Sequence, residues 1–234
     1  MASTYQDKQI KVILTDIEGT TTDISFVHQV LFPYSAKHLS EWVRNNLELS
    51  VVQDILQQVR EISNELNADV ESCINQLMTR QAEDKKITPL KSLQGLIWQE
   101  GYDKGELKSQ VYPDAVEYLQ KWYDAGLILA VYSSGSIAAQ KLLFQNTSVG
   151  DLTGLFSNYF DTTTGSKIES QSYLAIADKL SVPPEEILFL SDSSKELAAA
   201  TAANLNTCVL NSVTIDVDIN FNYVNNFADI ALEW

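Results

Sequence analysis

From Lys11 to Thr22 the chain reads Lys-Val-Ile-Leu-Thr-Asp-Ile-Glu-Gly-Thr-Thr-Thr. An aliphatic stretch that runs unbroken and stops at an acid is the pattern of a strand covered on both faces, since such a strand has no solvent side to alternate toward. Comparable stretches at Leu127 to Tyr132, Ile187 to Leu190 and Thr207 to Leu210 predict three further buried strands, and Leu155 to Asp161 predicts a short strand or turn. Between them, helices are signalled. Tyr112-Pro113-Asp114 opens one that runs Ala115 to Ala125 and closes at Gly126, another starts at Ile137, and a third spans Ser170 to Leu180 ahead of Pro183-Pro184. The tail through Trp234 carries few interpretable signals.

The first and second strands lie about a hundred residues apart, too far for a single crossover helix. What intervenes is helical in period. Val51, Val52, Ile55, Leu56, Val59, Ile62 and Leu66 recur at spacings of three and four, as do Val70, Cys73, Ile74, Leu77 and Met78. Thr88-Pro89 reads as an N-cap followed by proline at the first helical position, before Leu90, Leu93, Leu96 and Ile97 on one stripe. Pro33 is expected to break the apolar run Phe26 to Trp42 or to begin a turn in it. His28 and His38 fall in this region without metal-ligand partners and read as structural. The prediction is an α/β protein: a Rossmann-like, doubly wound parallel-sheet core from residues 1–22 and 111–234, with an all-helical cap, 23–110, inserted after the first strand.

Composition narrows what such a fold can bind. With 234 residues, 45% of them hydrophobic, the chain can bury a sizeable core, and a formal charge of -15 disfavours nucleic acid and anionic membranes as partners. A small anionic substrate therefore needs local positive charge from a metal, a lysine or helix N-termini. Cys73 and Cys208 are far apart and lack metal-ligand spacing, so they read as reduced core thiols of a cytoplasmic protein. The opening MASTYQDKQI shows no basic segment followed by an apolar run, and no stretch approaches the ~20 residues of a membrane span.

In a parallel sheet the carboxyl ends of the strands share one edge, where Asp16, Glu18, Ser133, Ser134, Lys167 and Asp192 can converge. Asp16 and Asp192 make a hard-oxygen pair suited to Mg2+. An aspartate can attack phosphorus, while hydroxyls and a lysine hold the transferring oxygens. The serine-ended second strand also precedes a helix, whose N-terminal N–H groups can hold phosphate. Each part has a plain structural reading as well. The first loop can be a capped turn with its acids in water, Ser133 to Ser136 an ordinary serine-rich turn, and Lys167, a lone lysine delivered by the polar loop from Thr162 to Ser166, a solvated surface charge.

Taken in order, Asp16-Ile17-Glu18-Gly19-Thr20-Thr21, Tyr132-Ser133-Ser134-Gly135-Ser136, Lys167-Ile168-Glu169-Ser170 and Leu188-Phe189-Leu190-Ser191-Asp192 resemble the four motifs of the haloacid dehalogenase superfamily. Glutamate at position 18 and the Ser-Ser-Gly-Ser strand end are similar to its enolase-phosphatase E1 family in particular. That resemblance implies a bifunctional enzyme of methionine salvage. Its substrate is the small phosphorylated diketone 2,3-diketo-5-methylthiopentyl 1-phosphate, which is enolised and then dephosphorylated to 1,2-dihydroxy-3-keto-5-methylthiopentene. It further implies Mg2+ as cofactor, Asp16 as nucleophile and metal ligand, and Glu18 as acid and base with its main chain at the metal. Asp192 is then the remaining ligand, Ser133, Ser134 and Lys167 are substrate contacts, and Glu196 belongs to the outer metal shell. A cytoplasmic monomer is expected. Another Mg2+-dependent phosphatase of the superfamily is the alternative, and a non-catalytic acidic partner protein on the same fold would be favoured only by loss of Asp16 or Asp192.

Overall fold

A computed structural model describes residues 3–5, 9–85, 87–210 and 221–232. The chain forms two compact units, Met1–Ile24 with Ser109–Trp234, and Ser25–Lys108; the sequence pattern suggests breaks at 22/23 and 110/111. Residues 1, 2 and 6–8 of the opening segment, where no leader pattern is read, lie outside the described residues.

The first unit is built on a six-stranded sheet, parallel throughout. Its strands are β1 Val12–Thr15, β2 Ile128–Tyr132, β3 Asn158–Phe160, β4 Ile187–Ser191, β5 Asn206–Leu210 and β6 Asn222–Val224, in the order β3-β2-β1-β4-β5-β6. A two-residue parallel pairing of Ser3–Thr4 with Ile230–Ala231 lies outside this sheet. The chain leaves β1 to one side, adds β2 and β3, and then returns to lay β4 on β1's other flank. The order thus reverses at β1, and the crevice beyond its carboxyl end is a topological switch point, where open α/β sheets bind ligands.

The second unit, described by itself, is helical: α1 Phe32–Asn45, α2 Ser50–Ser63, α3 Val70–Ala82 and α4 Thr88–Asp103. Leu39 and Val43, Val52, Leu56 and Val59, Cys73 and Leu77, and Leu93 and Ile97 fill its core, one stripe from each helix. Three local expectations fail here. Pro33 does not break the run, because a widened turn, Val27–Leu31, passes directly into α1 and places the proline in the first turn, where its missing N–H is not needed. Thr88 is the first residue of α4 rather than its cap; Ile87 holds the cap position without a side-chain bond. Val51, Ile62, Leu66 and Met78 are exposed, and Leu66 lies past the end of α2, which Asn64 terminates in a left-handed conformation.

Among the described residues, four helices flank the sheet: α5 Pro113–Asp124, α6 Ile137–Gln145, α7 Ser170–Leu180 and α8 Ser194–Ala202. Alternation along the strands divides the core into two layers. Ile13, Val131 and Leu188 meet Leu119 and Trp122 of α5 and Phe144 of α6, while Leu14, Ala130 and Phe189 meet Tyr173 and Ile176 of α7 and Leu197 of α8. Strand β6 and helix α8 are absent from the sequence reading. Among the described residues no helix is long and apolar enough to cross a membrane.

Leu14 is fully buried and lies between Ala130 and Phe189 in register. Leu14→Ala should therefore destabilise the protein by ~2–5 kcal/mol, whereas Ile62→Ala on the exposed face of α2 should shift stability by less than about 0.5 kcal/mol. Urea unfolding of the two variants side by side checks this; similar midpoints would contradict the burial pattern.

Candidate active site

Asp16 directly follows β1, and its N–H donates to the Leu190 carbonyl at 2.9 Å, which extends the β1–β4 ladder by one residue and fixes its backbone. The chain then turns tightly. The N–H groups of Thr20, Thr21 and Thr22 all donate to the Ile17 carbonyl, at 3.2, 2.9 and 3.0 Å, and that of Gly19 donates to Thr22 at 2.8 Å. Gly19 has φ of 76°, and a Cβ there would fall inside van der Waals contact of the Asp192 carboxylate. Glycine is therefore required on two counts, backbone conformation and close approach. Thr20 ties the same two loops together, its Oγ1 accepting the Asp192 N–H at 3.1 Å. Glu18 is half-buried in this turn and bridged through its main chain to Thr22. The Thr22 hydroxyl is buried with no protein partner among the described residues.

Lys167 overturns its reading as a solvated charge. It is 6% exposed while its apolar neighbour Ile168 is 62% exposed, so the loop after β3 turns the lysine inward and the isoleucine outward. The ammonium lies 2.7 Å from Asp16 Oδ1 and 2.7 Å from Glu196 Oε2. Asp16 Oδ1 also accepts the Ile17 N–H at 2.8 Å, and Glu196 Oε2 accepts the Ser191 hydroxyl at 3.0 Å. Burial alone would lower the lysine's pKa; the two carboxylates outweigh it and hold the value above its ordinary range.

The cluster of Asp16, Asp192, Glu196 and Lys167 contains three acids and one cation. Burial, then the charge of Asp16, pushes Asp192 up to about 6 and Glu196 up to about 7, with Lys167 opposing in both cases. These are carboxylates short of positive charge. Among the described residues no three acids, histidines or cysteines group as a ready-made metal cage. Mg2+ suits what is present, since it binds through one or two carboxylates and keeps much of its shell for water and phosphate. Asp16 and Asp192, with a main-chain oxygen from the intervening turn, fit that cation.

Ser133 and Ser134 follow β2. Val131 pairs with Thr15 and Thr15 with Leu190, so continuing the register puts Ser133, Ile17 and Asp192 at one level of the sheet edge. Ser133 is buried, donates its N–H to Phe160 at 3.2 Å and accepts the Gly135 N–H on Oγ at 3.3 Å. Ser134 is exposed. The N-terminus of α6 differs from expectation: Ser136 Oγ accepts the Ala139 N–H at 3.3 Å and Asp161 Oδ2 that of Ile137 at 3.2 Å. These two N–H groups are satisfied within the chain. Gln140 braces the loop, its amide donating to the Gly135 and Phe160 carbonyls at 2.8 Å each. Asp161 and Gln140 escape sequence reasoning. For Asp161 a signal exists, because an aspartate before a run of threonines forms an Asx turn, here closed by the Thr163 N–H at 2.9 Å. His28 and His38 pack against the rings of Phe32 and Tyr34.

A buried Asp–Lys–acid cluster and a hydroxyl loop at the switch point of a parallel sheet define a phosphoryl-transfer class of site. The comparisons with known proteins narrow that class. A family model for haloacid dehalogenase-like hydrolases matches residues 10–204. The enolase-phosphatase E1 of Pseudomonas fluorescens (strain Pf0-1) is 59% identical over 201 residues, covering 86% of this chain and 88% of that protein. The enolase-phosphatase E1 of Sulfurihydrogenibium sp. (strain YO3AOP1) is 51% identical over 226 residues, covering 95% and 98%. The crystal structure of the UTR4 protein of Saccharomyces cerevisiae superposes with a TM-score of 0.80 at 33% identity, covering 93% of this chain and 98% of that one. CbbY of Rhodobacter sphaeroides, at 16% identity and a TM-score of 0.61, shares the fold. The chain belongs to the haloacid dehalogenase-like hydrolases and, within them, to the enolase-phosphatase E1 family. Phosphatases of this class generally depend on Mg2+.

Asp192 and Glu196 have folded-state pKa values above their ordinary ones, so without a cation they bind more protons folded than unfolded. Their contribution to stability then falls as pH rises from about 4 to about 7. The raised Lys167 titrates far above this window and adds no slope within it. A cation bound beside Asp192 removes the penalty of ionising it. The gain in Tm from added Mg2+ should accordingly be larger at about pH 7.5 than at about pH 5. Thermal unfolding of EDTA-treated protein with and without Mg2+ checks this; an equal gain at both pH values would contradict it.

Proposed function

We propose that this protein converts 2,3-diketo-5-methylthiopentyl 1-phosphate to 1,2-dihydroxy-3-keto-5-methylthiopentene and phosphate in methionine salvage, enolising the diketone and then removing phosphate at the same site. The observation that carries this reading is the Lys167 ammonium, buried between Asp16 and Glu196 at the switch point. A carboxylate anchored by a main-chain N–H and an ammonium, and shielded from water, is held ready for attack instead of being dispersed in solvent.

In the phosphatase step the Asp16 carboxylate attacks phosphorus and the bond to the substrate's ester oxygen breaks, giving an aspartyl-phosphate. Glu18 protonates the leaving oxygen, then takes a proton from the water that hydrolyses the acyl phosphate. Ser133 and Ser134 hold phosphate oxygens, and Lys167 meets the charge that builds on the transferring group. Asp16, Asp192 and the Glu18 main chain would hold Mg2+, which when bound would neutralise charge at the phosphate and polarise the dicarbonyl. A cytoplasmic location completes the reading, supported by two buried free thiols, Cys73 and Cys208.

The deciding experiment supplies the purified protein with the diketone phosphate and follows ultraviolet absorption of the enol alongside phosphate release. Both signals should appear with Mg2+, vanish on EDTA treatment and return on readdition. Phosphate release without the enol signal would replace this reading with another phosphatase of the family.

Enolisation needs a polarised carbonyl and a base, whereas dephosphorylation also needs a nucleophile on phosphorus. Asp16→Asn should abolish phosphate release while enol formation persists, weakened by poorer Mg2+ binding. The two assays run in parallel at saturating Mg2+ decide it: joint loss with metal still bound would make Asp16 essential to enolisation as well.

Lys167→Ala should cost about 2–4 kcal/mol of transition-state stabilisation, as for loss of one oxyanion donor. A change in kcat/KM below about threefold would remove Lys167 from the chemistry.

A further inference from the structure

Lys167 stands in a loop, yet its ammonium is held to 2.7 Å from two carboxylates. Loop backbones are ordinarily the less constrained part of a fold, and an inward-facing lysine on a loose loop would swing. What holds this one is a run of three consecutive carbonyls, each accepting a hydroxyl from a different side chain. The Tyr132 hydroxyl donates to Gly165 at 3.0 Å, the Ser172 hydroxyl to Ser166 at 2.7 Å and the Tyr173 hydroxyl to Lys167 itself at 2.7 Å. Tyr132 ends β2, and Ser172 and Tyr173 lie in the first turn of α7, so strand and helix grip the loop from two sides. All three side chains are buried, and the two rings meet edge to face with centroids 5.5 Å apart. The Lys167 ammonium also lies 5.7 Å from the Tyr132 ring centre. Gly165 makes the arrangement possible: its φ is 149°, and a Cβ there would collide with the Ser172 hydroxyl.

We propose that Tyr132, Ser172 and Tyr173 are positioning residues for the reaction, a hydroxyl clamp that fixes the Lys167 main chain so that its ammonium is delivered between Asp16 and Glu196. Its importance for turnover rests on the phosphatase reading above; its effect on Lys167 does not. Only hydroxyls are invoked, so Tyr→Phe and Ser→Ala are the informative changes, since both rings and their packing stay. Loosening the clamp lets the ammonium leave its pocket, which slows the chemical step because Lys167 meets the charge that builds on the transferring group, while Ser133 and Ser134 stay in place to hold phosphate.

The experiment uses the full-length protein as Tyr132→Phe/Tyr173→Phe, Ser172→Ala and Ser172→Thr. Lysine acetylation by limiting acetic anhydride, read site by site by peptide mass spectrometry, reports the position of Lys167 whatever the substrate. Steady-state phosphate release reports the consequence. In the double variant and in Ser172→Ala, acetylation of Lys167 should rise roughly tenfold over the wild type while that of other lysines is unchanged, and kcat should fall roughly tenfold with KM within about twofold. Ser172→Thr, which keeps a hydroxyl, should restore both readouts toward wild type. Unchanged Lys167 acetylation, or a rise shared by all lysines, would overturn the clamp. Selective exposure of Lys167 with kcat unchanged would overturn its part in the reaction. If the wild type releases no phosphate from the diketone phosphate, the functional reading fails while the acetylation result still decides whether the clamp positions Lys167.

Discussion

The structure depends on keeping an ammonium and its counter-carboxylates out of water at the edge of a hydrophobic sheet. Removing two ions from solvent is expensive, and mutual attraction repays it only when geometry and further hydrogen bonds are good. Here the geometry is supplied from three directions. Asp16 is fixed by a strand it continues, Glu196 is oriented by Ser191 from the end of the neighbouring strand, and Lys167 is carried in by a loop whose carbonyls are individually bonded. None of the three is near another in sequence, so the site exists only when the parallel sheet is complete.

That dependence explains why the two glycines are placed where they are. Gly19 and Gly165 each adopt a backbone angle that other residues rarely take, and each faces a side chain with no room for a Cβ, the Asp192 carboxylate in one case and the Ser172 hydroxyl in the other. Both are therefore points where the loops of the sheet edge come together, and both would transmit a small steric change straight to a charged group. A methyl added at either would act through the position of Asp192 or Lys167 before it acted through global stability.

Much of this was legible in the order of residues. Unbroken apolar strands that stop at acids or serines identify a parallel sheet and its functional edge, and the long helical interval after β1 marks a separate unit. What the pattern could not give was direction within loops. In Thr-Gly-Ser-Lys-Ile-Glu the apolar residue should face inward and the lysine outward, yet Lys167 is buried and Ile168 exposed, because the partners that decide the matter, Asp16 and Glu196, are remote in the chain. Helix α8 has alanines that favour helix, but Leu197 is its one large apolar residue, so it carries no stripe from which a helical period can be read. At α6 two of the N–H groups that could hold an anion at the helix N-terminus are taken by Ser136 and Asp161, a competition visible only once Asp161 is brought beside the helix. Exposed Ile62 and Leu66 show the converse error: a helical stripe continues in sequence after the surface it packs against has ended.

Charge then links the site to the whole molecule. At -15 the protein should repel a phosphorylated substrate at long range, and in the described site three acids face one lysine. Binding an anion there cannot rest on Lys167 alone, because its charge is already shared by Asp16 and Glu196. A divalent cation would change the balance by compensating Asp16 and Asp192, and on the proposed reading it would leave the ammonium able to meet phosphate oxygens without abandoning its carboxylates entirely. The raised pKa values of Asp192 and Glu196 express the same deficit in proton affinity: where the cation is missing, protons are the available substitute. Metal binding and proton uptake at this edge therefore answer one shortage of positive charge, and each should weaken the other's hold on the same carboxylates, whereas an anionic substrate deepens that shortage and should bind more tightly once the cation is in place.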